Sequence, residues 1–212
     1  ILYLLTENLS IGVIRSQVLT HISFIKANNI ANFTIIMCYW SDSELEKSKA
    51  EVEKILTNIG TEVLFLKIYR PIFFFLNFLN RHRLYKKFLS INKNFQYIHA
   101  RTDYCANLSS KIVKKTNLKL IWDCRGDSVA EIDYNKKNII NPFKKFFLDR
   151  RFFNAGKKAH KIIFVSDYLK SKYRQEDDND NNFVVPSLAS KNDFYYSIML
   201  RNNCRKKLQI KS

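Results

Sequence analysis

Short, almost unbroken apolar runs alternate along the chain with longer stretches in which apolar residues recur every three or four positions. The runs at 1–5, 33–40, 61–68, 95–99, 118–123, 161–165 and 183–185 predict strands. Between them, 16–27 predicts a helix with Val18, Ile22 and Ile25 on its inner face, and 41–59 a helix with a charged outer face, capped by Asp42 or Ser43. Further helical stretches fall at 104–115 and 143–158, with a long apolar segment over 71–91. The strands do not alternate: Leu120-Ile121-Trp122 and Ile162-Ile163-Phe164-Val165 are apolar on both faces. That is the pattern of a parallel sheet covered by helices on each side. The expectation is therefore an α/β fold, a Rossmann-like doubly wound parallel sheet over 1–186, with 187–212 leading away from it. In such a sheet ligands gather beyond the carboxyl ends of the strands, so chemistry is sought there.

Composition narrows the picture only where it excludes something. No apolar run reaches the roughly 18–20 residues that span a bilayer. The opening stretch 1–7 is too short for a signal peptide and has no cationic lead, so a cytoplasmic protein is expected. Cys38, Cys105, Cys124 and Cys204 are scattered without metal-ligand spacing and read as reduced thiols. The Asp178-Asn179-Asp180 triplet follows a polar helix end, not a strand, and reads as a solvated loop; no metal and no other cofactor is expected. The net charge of +17 attracts polyanions. Zinc spacing, RNP-type sequence and a helix-turn-helix signature are all missing and the cations are dispersed, which argues against nucleic acid.

Two stretches interleave aromatic and cationic residues. Phe74 and Phe75 run toward Arg81 and Arg83, and Lys144 and Lys145 lie within Phe143–Leu148 ahead of Arg150 and Arg151. Both are too broadly apolar for a helix with one buried face, and at least one is expected to contact an anionic membrane surface.

Candidate chemistry concentrates in Leu120-Ile121-Trp122-Asp123-Cys124-Arg125-Gly126-Asp127, with Glu131 shortly after. A buried strand here ends in charged residues and a glycine, at the edge where an open α/β sheet meets ligand. Charges in that position are costly unless they pair or meet a substrate. An ion pair of Arg125 with Asp123 or Glu131 that merely shapes the loop is the competing reading. His99 and Arg101 close the preceding strand on the same edge, and the two arginines would form a cationic rim. In the first loop Gly12, followed by Arg15, is either a phosphate-approach glycine or a turn glycine. Ser166, ahead of a helix, reads as an N-cap.

These residues resemble the N-terminal domain of glycosyltransferase family 4, the retaining transferases of GT-B architecture. Asp123-x-Arg125-Gly126 with Glu131 is similar to a motif of one subset, and Tyr97-Ile98-His99-Ala100-Arg101 resembles its strand-end segment. The run 159–166 resembles a further element, with His160 where the family usually has Asp. Val184-Val185-Pro186, Phe194, Arg201, Arg205 and Leu208-Gln209-Ile210 resemble the approach to its hinge. The resemblance implies a nucleotide-sugar donor as co-substrate and a lipid-linked or glycan acceptor. It implies acceptor binding by Asp123, Arg125, Gly126, Glu131, His99 and Arg101, donor-phosphate contact by Gly12 and Arg15, and no assigned catalytic base. It further implies that a second, donor-binding domain is absent from this chain, which alone would be inactive. A peripheral place on the inner face of the cytoplasmic membrane completes the expectation.

Overall fold

The computed structural model describes residues 1–6, 14–71, 73–130, 141–173, 182–186 and 198–199. The predicted strands form β1 (Leu2–Leu5), β2 (Thr34–Tyr39), β3 (Glu62–Lys67), β4 (Tyr97–Arg101), β5 (Lys119–Cys124), β6 (Lys161–Phe164) and β7 (Asn182–Val184). They make one sheet of order β3-β2-β1-β4-β5-β6-β7, with every neighbouring pair parallel. This is a Rossmann-like doubly wound sheet, and its order reverses between β1 and β4.

Alternation along β1 shows how the sheet is covered. Leu2 and Leu4 enter one core with Ile98, Ala100, Leu120, Trp122 and Phe164, while Tyr3 and Leu5 enter the other with Ile35 and Met37. On the second side lie α1 (Thr20–Ala27), entered through a π-helical turn at Ile14–Leu19, and α2 (Asp42–Asn58). The first side carries α3 (Asn77–Leu89), α4 (Thr102–Leu108), α5 (Ser110–Lys115), α6 (Asn141–Lys158) and α7 (Asp167–Tyr173). Trp122 anchors this side, fully buried and edge-on to Phe152 at 4.6 Å. Cys38, Cys105 and Cys124 are buried thiols, and Cys204 lies outside the described residues.

Helix ends follow local chemistry. Asn29 and Gly60 take φ of 53° and 62° after α1 and α2. At both, the next amide donates back into the last turn, Ile30 N to Ile25 O at 3.0 Å and Thr61 N to Leu56 O at 2.9 Å. These left-handed stops suit Asn and Gly, which bear the conformation at little cost. Ser166 caps α7, accepting from Leu169 N at 3.3 Å. Two expectations are corrected. Ser41, not Asp42 or Ser43, precedes α2, because Asp42 turns outward to pair with Lys67. The stretch 104–115 is two helices starting at Thr102, broken where the Ser109 hydroxyl donates to Ala106 O.

Candidate functional site

The register of β4 against β5 sets Arg101 beside Asp123, and β1 against β4 sets Tyr3 beside His99. Residues two apart on a strand share a face, so His99, Arg101 and Asp123 all project toward α1. Asp123 is 1% exposed and meets three partners: Arg125 Nε at 2.7 Å, His99 Nε2 at 3.6 Å and Arg101 Nη1 at 3.7 Å. The Arg101 guanidinium also donates to Gln17 Oε1 at the start of the first helix. The His99 ring lies 4.5 Å from Tyr3 and 5.7 Å, edge-on, from His21. Burial pushes the Asp123 carboxyl upward, and His99 and Arg125 outweigh it, so the group sits below its ordinary value. Burial, seconded by the nearby His99, takes His21 down to about 4.

The cluster has a definite depth. Asp123, Arg101 and His99 are all buried, whereas the Arg125 side chain retains 15% exposure and Gly126 is exposed. The expected rim of two arginines is therefore corrected: Arg125 forms the outer edge, and Arg101 lies beneath it, drawn inward by Asp123 and Gln17. His99 and Asp123 likewise support this rim from within and do not line an open cleft.

The turn carrying Arg125 is held from both ends. Asp127 Oδ1 accepts from Val129 N at 3.2 Å and Ala130 N at 2.9 Å, and from the Tyr173 hydroxyl at 2.6 Å. Lys172 pairs with the same carboxylate. Asp127 thus ties the turn to α7; burial alone would raise its carboxyl, and the Lys172 and Tyr173 bonds bring it below the ordinary value. On the other side Asp103 pairs with Arg151 of α6 at 2.5 Å and accepts weakly from the Ser128 hydroxyl at 3.5 Å. Thr102, between Arg101 and Asp103, has φ of 77°. That conformation is strained for a β-branched residue and is held by the packing around the strand end.

Gln17, Asp103 and Asp127 escaped sequence reasoning as supports of the site. Asp127 and Asp103 stood within or beside the chosen strand-end segments, so proximity to a cation-bearing strand end was the usable signal. Gln17 sits in a different element and gave none. Glu131, Gly12, Arg201 and Arg205 lie outside the described residues, as does 178–180; Arg15 falls in the π-helical turn, with its side chain likewise outside what is described. The two aromatic–cationic stretches do come together, with Phe74 stacked on Phe147 at 4.7 Å and 15°. Arg83, half-buried, lays its guanidinium over the Tyr69 ring at 4.2 Å and donates to the Tyr69 hydroxyl at 3.1 Å. Among the described residues no helix is long and apolar enough to cross a membrane.

No protein-family model matches the chain, and no curated protein matches its sequence. Solved structures do match. Sucrose-phosphate synthase from Thermosynechococcus elongatus superposes with a TM-score of 0.60 at 9% identity, over 99% of this chain and 52% of that one. Anabaena HepE in complex with UDP gives 0.55 at 11% identity, over 98% and 49%. Arabidopsis thaliana UGT89C1 complexed with UDP gives 0.55 at 14%, over 97% and 56%. At such identities the likeness is one of fold, and the chain spans about half the length of these relatives.

Proposed function

We propose that this chain is the acceptor-side domain of a retaining GT-B glycosyltransferase that moves a sugar from a nucleotide-sugar to an acceptor hydroxyl. The observation that carries the reading is the place of Arg125, held by the buried Asp123 yet the least buried member of the cluster, beside the exposed Gly126 at the carboxyl edge of a sheet whose order reverses nearby. Open α/β sheets bind ligands at that edge. The fold shared with proteins whose structures hold UDP supports a nucleotide-sugar donor. The acceptor-side assignment rests on the Asp-x-Arg-Gly resemblance at Asp123, Arg125 and Gly126.

In the transfer, the bond from the anomeric carbon to the nucleotide oxygen breaks and one to the acceptor oxygen forms, through an oxocarbenium-like centre. The acceptor hydroxyl loses its proton, and negative charge collects on the departing diphosphate. Arg125 is the residue of the cluster placed to meet an anionic or hydroxyl-rich ligand, since Asp123 anchors it from below and it alone of the four keeps 15% side-chain exposure. Asp123, His99 and Arg101 are positioning residues. Donor contacts belong to a second domain, and the acceptor is lipid-linked or a growing polysaccharide presented at an anionic inner membrane face.

Replacing Arg125 by Ala in the full-length protein is expected to lower turnover by about a hundredfold, the scale on which one oriented charge stabilises a transition state. Arg125→Lys should restore part of it. Unchanged turnover in a folded Arg125→Ala protein would remove the site assignment.

A further inference from the structure

On the face opposite α1, the 3-10 turn Phe74–Leu76, α3, α4 and α6 enclose a cleft of about 620 Å³. Its walls are Phe74, Phe78 and Phe147, its base Tyr104, and two cations, Arg81 and Arg150, reach it from opposite helices. Among the described residues no carboxylate belongs to its lining. Arg151, also at the cleft, is engaged from below by Asp103. Arg81 donates to Asn107 O at 3.1 Å, which fixes its head at the base, and its burial lowers its affinity for the proton it carries. An anion at that spot would offset the same cost.

The surroundings are unusual for a water-facing surface. Phe75 is 71% exposed, Phe78 64%, Phe143 70% and Phe146 60%, on the 3-10 turn, α3 and α6, which meet through the Phe74–Phe147 stack. A contiguous exposed aromatic patch of this kind marks an interaction surface. Its partner must be apolar and anionic at once. Phe side chains beside cations match the boundary between acyl chains and phosphate headgroups. A nucleic-acid duplex would satisfy the charges but leave the outward Phe75 and Phe146 in water, and the displacement test below covers a single strand.

We propose that this cleft binds one phosphate-headed lipid, its phosphate between Arg81 and Arg150 and its alkyl chain along Phe74, Phe78 and Phe147. This rests on the membrane-facing part of the function proposed above and deepens it, from diffuse attraction to a single seated molecule. The cleft is linked to the strand edge at Arg125 through Asp103, which joins Arg151 of the cleft to Ser128 of the Arg125 turn.

The test uses dodecyl phosphate below its micellar concentration, titrated calorimetrically into the full chain, with vesicle flotation in parallel. One molecule per chain should bind saturably, and Arg81→Gln with Arg150→Gln should weaken it about a hundredfold, as removal of two charge-assisted hydrogen bonds requires. Lys144→Gln with Lys145→Gln, outside the cleft, should change it less than about threefold. Arg150→Gln alone, at an exposed position, should weaken binding about tenfold and guards against a folding defect in the pair. Flotation on anionic vesicles without saturable dodecyl phosphate binding overturns the seated lipid and leaves the membrane reading standing. Absence of flotation together with absence of binding overturns both. Inorganic phosphate binding as tightly as the amphiphile, or an oligonucleotide displacing it at equal affinity, overturns the lipid assignment.

Discussion

The two sides of this sheet break opposite rules. On the α1 side an aspartate and an arginine lie at 1% and 2% exposure, where charges are rarely found. On the α3–α6 side phenylalanines stand mostly in water, Phe75 at 71%. The first departure is compensated from inside, because Asp123 has Arg125, Arg101 and His99 around it. The second has no such compensation among the described residues: Phe75 and Phe146 lie 6.1 and 5.7 Å from neighbouring rings and are otherwise largely exposed. A self-satisfied oddity shapes the molecule, whereas an unsatisfied one awaits something beyond it. The buried members of the cluster, Asp123, Arg101 and His99, are accordingly expected to govern stability, and the aromatic face to govern association with a surface.

The hardest test of that division is Asp123→Ala. Removing one member of a buried ionic group leaves the others uncompensated, at about 3–5 kcal/mol. Urea denaturation should show a loss of that size, and a loss under about 1 kcal/mol would mean that Arg101 and Arg125 find water or other acceptors, so that the cluster is not the rigid support described.

How far this contrast could be read from the chain differs between its halves. The described strands were legible, since short uninterrupted apolar runs such as Ile162–Phe164, too short to cross a membrane, are best buried in a sheet covered on both faces. So was the meeting of His99, Arg101 and Asp123, because strand ends in a parallel sheet share one edge. Their depth was not legible: burial of Arg101 depends on Gln17 reaching across from another element, and no local pattern reports that. The break at Ser109 was hidden for a similar reason, a hydroxyl competing for a carbonyl inside an otherwise helical sequence. Nor could the separate fates of Arg81 and Arg83 be seen, two residues apart on α3 yet turned to Asn107 and Tyr69 respectively.

A smaller effect separates the regions by pH. His21 takes up its proton only near pH 4 in the folded chain, against 6.5 for an ordinary imidazole, because it is desolvated and faces His99, Arg125 and Arg101, with Asp123 the opposing charge. Between those values the unfolded chain binds the extra proton, so stability rises with pH. The contribution is complete above 6.5 and gone below about 4. Denaturation midpoints should fall from pH 7 to 4.5, and His21→Gln should flatten that slope. An unchanged slope would show that other groups carry it. Asp123 and Asp127, both depressed, titrate below the ordinary carboxylate range and leave this window clear.

The smallest effect on stability is expected from the aromatic face, where it is the most informative. Phe78 is 64% exposed on α3, the helix whose inner face buries Leu84 and Asn80. Asn80 fastens that helix from its inner face, accepting from Tyr69 N at 2.8 Å and donating to Tyr69 O and the Tyr104 hydroxyl at 2.9 and 2.8 Å. The outward ring is therefore not needed to hold α3 in place. Phe78→Ser should shift stability by no more than about 0.5 kcal/mol, the range of exposed substitutions. Transferring a buried Phe side chain is worth about 1.5–3 kcal/mol, so vesicle binding should fall by an order of magnitude or more if this ring enters lipid. Thermal melting and flotation on the same variant separate the outcomes. A large loss of stability would make Phe78 part of the core, and intact flotation would move the membrane contact elsewhere on the surface.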